Sequence, residues 1–193
     1  KYIDLNRDGI LQRSEVEQIS NLQLKNLNEN PISLRGIENF NNVETLVIRD
    51  VNAETLDLRA LKKIRNLFFE NCRFTNVYLD GLVQLTELQI GPANEKLRRV
   101  SLKDANNLAV LKIENENNQL KELDVRGLKS LRQISLYADV ALRNLNSDNL
   151  LELVCHFQVF NNLNTRTKSQ IETLQLYASR ESVKVSGFTK LQS

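Results

Sequence analysis

The chain has 193 residues, of which 41% are hydrophobic and 26% charged; that is enough apolar material for a packed core and too much for a disordered chain. The net charge is only +2, with 26 basic residues spread among 24 acidic ones, so the basic excess or stripe of a nucleic-acid binder is missing. No uninterrupted apolar run reaches the roughly 18 residues that a membrane-spanning helix needs.

The first element in chain order is a loop. Asp4-Leu5-Asn6-Arg7-Asp8-Gly9-Ile10-Leu11-Gln12-Arg13-Ser14-Glu15 matches the EF-hand pattern D-x-[DN]-x-[DN]-G-x5-E at every constrained position. Calcium takes six to eight hard oxygen ligands, and this spacing offers them. Asp4, Asn6 and Asp8 are placed to give side-chain oxygens, Ile10 its carbonyl, Gln12 a direct or water-mediated contact, and Glu15 two carboxylate oxygens. Gly9 permits the sharp turn, and Leu11 is expected to point inward. Only three residues precede the loop, so the first helix of an ordinary EF-hand is absent from the chain. A lone loop is expected to bind in the range of extracellular modules, about 10⁻⁴–10⁻³ M. The alternative is a plain capping turn, with Ser14 or Asp8 capping a helical stretch over Glu15–Gln18.

From residue 19 onward the sequence is repetitive. The pattern apolar-x-x-apolar-x-apolar starts at Ile19 and recurs at Val43, Ile64, Leu85, Leu108, Leu131, Leu150 and Ile171. A second set starts at Ala53, Phe74, Leu97 and Leu120, with a weaker copy over Leu142–Ser147. From each of the first four second-type segments to the next first-type segment is a constant 11 residues. The other half of each coil varies from 10 to 12, so the insertions, at Gly91–Lys96 and Glu114–Gln119, fall on one edge. The last two apolar positions of a segment are two apart and face the same way from a short strand. One coil cannot bury its own apolar side, but stacked coils can. Most of these starts are 21–23 residues apart, with one interval of 24 and one of 19, a period in the leucine-rich-repeat range. The expected fold is a β-rich leucine-rich-repeat solenoid, a curved superhelix with little helix. Residues 1–18 form the EF-hand-like loop and cap, and 19–193 the solenoid.

This layout resembles the leucine-rich-repeat proteins of bacterial surfaces, particularly the Bacteroides-type group. Leu120-Lys121-Glu122-Leu123-Asp124-Val125 and Glu54-Thr55-Leu56-Asp57-Leu58 match the second element of that group's coil. Gly36-Ile37-Glu38-Asn39-Phe40 resembles the segment that opens such arrays. The resemblance covers nearly the whole chain and implies a calcium loop ahead of the first repeat. Where the general repeat carries Asn or Cys, Cys72 fits but Val51 and Glu116 do not, so no regular asparagine ladder is expected there.

No catalytic constellation is present: there is no Gly-rich phosphate loop, GxSxG or HExxH. His156 follows Cys155, but neighbours on a strand point to opposite faces. Cys155 and Cys72 fall at core positions, about four coils apart, and are expected to be buried free thiols. Strand residues between the apolar positions face outward. Among them Phe68, Tyr137, His156 and Tyr177 are the candidate contact aromatics. Arg59, Asp80, Lys103, Arg126 and Asp148 follow the second-type strands and are expected to form a ladder of surface ion pairs.

The function expected from all this is non-catalytic: an adhesin-like module, bound to Ca2+, presenting a solenoid face to a protein or glycan at the cell surface or outside the cell. The alternative is a structural spacer or targeting arm of a larger surface protein. The chain begins at Lys1 and has no Met, and is read as a segment of a longer product, with room outside it for a leader or lipid anchor.

Overall fold

The computed structural model describes residues 6, 11–25, 31–114, 119–137, 140–145, 148–156, 159–160, 163 and 165–177. Every first-type segment forms a parallel strand of one broad eight-stranded sheet. In order these are β1 (Asn21–Lys25), β2 (Thr45–Arg49), β4 (Asn66–Glu70), β6 (Glu87–Ile90), β8 (Val110–Ile113), β10 (Gln133–Leu136), β12 (Glu152–His156) and β13 (Thr173–Tyr177). The second-type segments form a narrow face. There β3 (Thr55–Asp57), β5 (Asn76–Tyr78) and β7 (Arg99–Ser101) make one sheet, and β9 (Glu122–Asp124) pairs with β11 (Ala141–Arg143). Among the described residues helix occurs at α1 (Arg13–Val16), a 3-10 turn at Ile37–Asn39, residues 159–160 and α2 (Thr165–Gln170).

The register stacks like on like. Leu22, Leu46, Leu67, Leu88, Leu111, Ile134, Leu153 and Leu174 form one continuous row. A second row runs Leu24, Ile48, Phe69, Ile90, Ile113, Leu136. Opposite them, Leu56, Val77 and Val100 line up from the narrow face. All but the end members of the broad-sheet rows are buried, so the core is a single column between the two faces. Each fully buried aliphatic side chain contributes about 1.5–3 kcal/mol relative to exposure.

Backbone polarity is met between coils as well. One carbonyl at each entry to the broad sheet accepts two N–H groups from the next coil: Glu44 from Arg65 and Asn66, Arg65 from Thr86 and Glu87, Thr86 from Ala109 and Val110. An asparagine ladder runs along the same edge. Asn42, Asn107 and Asn149 each precede a first-type segment by one residue. Their amides donate to the carbonyls of Glu17, Val83 and Lys129, at 2.7, 2.8 and 2.9 Å. This ladder lies elsewhere in the coil than the repeat position where one was found doubtful in the sequence.

Turn residues follow the backbone. Gly81, Asp104 and Gly127 sit at the same turn of successive coils with φ of 71°, 64° and 81°, a region open to glycine and tolerated by Asp.

One expectation is revised, and one insertion takes on a structural role. The weak second-type segment over Leu142–Ser147 is displaced by three residues: Leu142, not Leu145, registers with Leu123. That places its start at residue 139, which restores the 11-residue spacing to Leu150. The Gly91–Lys96 insertion is also more than a plain loop. It turns back so that Asn94, 1% exposed, closes the coil. Its Oδ1 accepts the Cys72 N–H at 3.1 Å and its Nδ2 donates to the Gly91 and Pro92 carbonyls at 2.7 and 3.2 Å.

Two measurements of denaturant stability test this packing. Leu88→Ala should cost about 2–5 kcal/mol, while Gln89→Ala beside it should stay within about 0.5 kcal/mol. Asn94→Ala removes the acceptor of the buried Cys72 N–H and the amide that meets the Gly91 carbonyl, and should cost about 1–3 kcal/mol.

Candidate functional site

Of the six loop residues singled out as calcium ligands, Asn6, Gln12 and Glu15 are described, while Asp4, Asp8 and Ile10 lie outside the described residues. Glu15 is 5% exposed. One of its carboxylate oxygens accepts the Asn6 N–H at 3.2 Å, and the other accepts the Gln12 N–H at 3.0 Å. A buried carboxylate is costly unless donors or a cation surround it, and these two N–H groups supply part of that. The same side chain thereby draws loop positions three, nine and twelve together. It also completes a capping box with Gln12 at the start of α1. The helix is therefore capped by Gln12 and runs over Arg13–Val16, rather than being capped by Ser14 or Asp8 over Glu15–Gln18.

The three described ligand residues carry only hard oxygen acceptors suited to this role, which fits calcium in donor type. Among the described residues no three His, Cys, Asp or Glu side chains gather as a metal-holding group. Leu11 does not point inward as expected; it is 48% exposed. It lies at the lip of an apolar groove at the N-terminal end of the solenoid, with Leu24, Ile32, Leu34 and Phe40.

The candidate contact aromatics fall in two places. Phe68 is half-buried on β4, in register with Val47 on β2 and Gln89 on β6. Its outward row continues through Lys112 to Ser135 and Val154. Those last two are 5% and 6% exposed, so the accessible stretch around Phe68 is the N-terminal half of the broad sheet. Tyr137 immediately follows β10, and His156 ends β12 in register with Tyr177. Tyr137 and His156 are half-buried and engage other groups of the protein; the side chain of Tyr177 lies outside the described residues. Three strands, β6, β8 and β10, separate β4 from β12 in the sheet order, roughly 19 Å over four strand spacings. Phe68 and the C-terminal group are thus separate patches.

Cys155 and Cys72 are both free and 0% exposed. Cys155 packs in the core while His156 lies on the other side of β12, so the two do not form a pair. Burial pushes the Cys72 thiol up to about 11 and the Cys155 thiol up to about 12.

On the narrow face the expected ion-pair ladder takes another form. Arg59 and Arg126 each bind the aspartate two residues earlier in their own coil, Asp57 at 2.6 Å and Asp124 at 3.8 Å. The Arg59 hydrogen bonds hold the Asp57 carboxyl below the usual carboxylate range. The amide of Asn144, followed by the Arg126 N–H, does the same for Asp124. Asp80 instead accepts the Ser101 hydroxyl and the Lys103 N–H. The pairs are local because Asp57 and Asp124 end their strands facing outward, where a following Arg folds straight back. Lys103 has no carboxylate within salt-bridge distance among the described residues. Nor do Lys96, Arg98 and Arg99, a basic run on β7 and its approach that sequence reading had passed over.

No protein-family model matches this sequence, and no curated protein matches it. No helix among the described residues is long and apolar enough to cross a membrane.

The raised thiols give a direct test. At pH 8 both cysteines should resist a disulfide reagent in the native protein and react fully in denaturant; fast labelling of either in the native state would contradict the packing. Unfolding lowers both pKa values toward about 9, so their contribution to stability is complete below that pH and declines as pH rises through 9 toward 11.

Proposed function

We propose that the chain is a non-catalytic binding module of the extracellular or cell-surface kind, in which a calcium ion held by the N-terminal loop steadies the first coil and the broad sheet presents a rigid face to a protein or glycan. The observation that carries this reading is Glu15, the last loop ligand. Its buried carboxylate spans the loop from Asn6 to Gln12 within a sequence that meets the EF-hand spacing throughout. Asp4, Asn6, Asp8, the Ile10 carbonyl, Gln12 and Glu15 would hold the ion. Bound there, it supplies a fixed positive charge that offsets the loop carboxylates. The last residues of the loop adjoin the end of the solenoid, where Leu24 is only partly buried; terminal repeats generally need such a polar cap.

The resemblance to bacterial surface leucine-rich-repeat proteins supports the setting, since calcium is plentiful outside cells and the loop's expected affinity is weak. For the contact surface, the reading favours the Val47–Phe68–Gln89 stretch, where a half-buried aromatic ring lies in register between Val47 and Gln89 in the accessible half of the sheet. Aromatic anchors of this sort dominate many interfaces.

The test is a thermal melt of the intact chain at about 10 mM calcium and again in excess chelator. A site of about 10⁻⁴–10⁻³ M should stabilise the fold by about 1.4–2.7 kcal/mol, a rise of roughly 3–10 °C at this chain length. Glu15→Ala also removes a helix cap and lowers the melt without calcium. The diagnostic is therefore the calcium increment, which should vanish in that variant. An increment of zero in the native chain, or one that survives Glu15→Ala, would sink the calcium reading.

A further inference from the structure

We propose that the groove between β7 and β9 on the narrow face binds an acidic polysaccharide, by clasping an anionic group of a sugar between Arg99 and Lys103 on one side and Arg126 on the other. This site uses the sheet opposite Phe68 and does not involve the calcium loop, so it stands or falls separately from the reading above.

The first observation is a break in an otherwise regular stack. β7 ends the three-stranded narrow sheet and β9 begins the two-stranded one, and the two are not hydrogen-bonded neighbours. Both flank the coils with insertions. The opening between them is a groove of about 700 Å³, a size that suits a few sugar rings.

The second is where unpaired positive charge collects. The sequence has two basic runs, Arg59–Arg65 and Lys96–Lys103. The first is satisfied within the protein. Arg59 binds Asp57 and Arg65 faces Glu44 at 3.7 Å; Lys62 reaches the Gly81 carbonyl and Lys63 the Asn42 side chain. The second is not. Arg98 contacts only the neutral Gln119 amide oxygen, at 2.6 Å, and Arg99 lies over the Tyr78 ring at 5.7 Å. Lys96 and Lys103 have no side-chain partner among the described residues. Arg98, Arg99 and Lys103 line the groove, and so does Arg126, whose guanidinium stands 3.8 Å from Asp124.

The third is what else lines it. Glu122, Asp124, Asp104 and Asn106 stand among the cations. Two of these carboxylates are already engaged, Glu122 by Arg143 at 3.1 Å and Asp124 by Asn144 at 2.9 Å. A uniform phosphate chain would meet these carboxylates with repulsion. A sugar chain carries hydroxyl donors between its anionic groups, so alternating cations and carboxylates match it in both respects. The shared chemistry is an oxyanion on a sugar ring, either a sulfate ester or a carboxylate.

The experiment is calorimetry of the intact chain against three hexasaccharides of one length, one sulfated, one bearing carboxylates only and one neutral, with a short single-stranded DNA as a fourth probe. At least one acidic sugar should bind with Kd below about 1 mM, and the neutral one should not. Arg99→Gln with Lys103→Gln should weaken that binding about tenfold or more. Lys62→Gln with Lys63→Gln removes the same charge from the other basic run and should change it less than about twofold. Which acidic sugar binds identifies the oxyanion. The proposal is overturned if neither acidic sugar binds, if the two double variants weaken binding equally, or if the DNA binds as tightly as the better sugar.

Discussion

The structure depends on one constraint: a coil of this length cannot bury its own apolar side and must borrow a neighbour's. Leu88 is covered because Leu67 and Leu111 flank it in register, and each of those is covered by the next. Backbone hydrogen bonds repeat the arrangement, since the carbonyl of Arg65 is satisfied by groups of the following coil, the Thr86 and Glu87 N–H groups and the Thr86 hydroxyl. Stability is therefore shared between neighbours along the stack. A coil that slipped by one residue would turn its whole apolar set outward. That explains why the 11-residue half-coil is held constant even across the irregular segment before Leu150.

The same constraint dictates what is free to vary. Outward positions of the broad sheet carry Val47, Phe68, Gln89 and Lys112 at equivalent sites because none of them faces a neighbouring coil's core. Insertions are tolerated only at the edge, and one of them is drawn back into the structure by Asn94. There the extra residues leave the Cys72 N–H needing an acceptor, and the asparagine side chain provides it. On the narrow face the coils part between β7 and β9, so unpaired cations and an opening occur together. Variation in this protein is thus a property of edges and outward faces, on a column that hardly varies.

The ends of the column are where the constraint fails. Leu24 at one end and Leu174 and Leu176 at the other are only partly buried, whereas Ile48, Ile90 and Ile113 between them are fully covered. The N-terminal loop adjoins one of these ends. Glu15 serves two purposes there, capping α1 and tying Gln12 to Asn6. A carboxylate placed for one of these tasks is already positioned for the other.

Much of the fold was legible in the residues, because periodicity is a local signal. Apolar positions at fixed spacing located all eight strands of the broad sheet, the burial of Cys72 and Cys155, and the edge that receives insertions. The six candidate calcium ligands of the loop were named from spacing alone. Other features depended on which residues meet across coils, which no single segment records. The Leu142 register was misread because Leu145 fits the local pattern equally well, and only pairing with Leu123 decides between them. The asparagine ladder was visible as Asn42, Asn107 and Asn149 before their segments, but it is interrupted by Lys63, Gln84 and Ser130, so its meaning emerged from the carbonyls it meets. The sequence by itself determined a stack of coils with one apolar column, since burial demands that period. Only the tertiary structure decided which charges are satisfied, which face is open and where the narrow sheet divides, because those follow from contacts between residues some twenty positions apart.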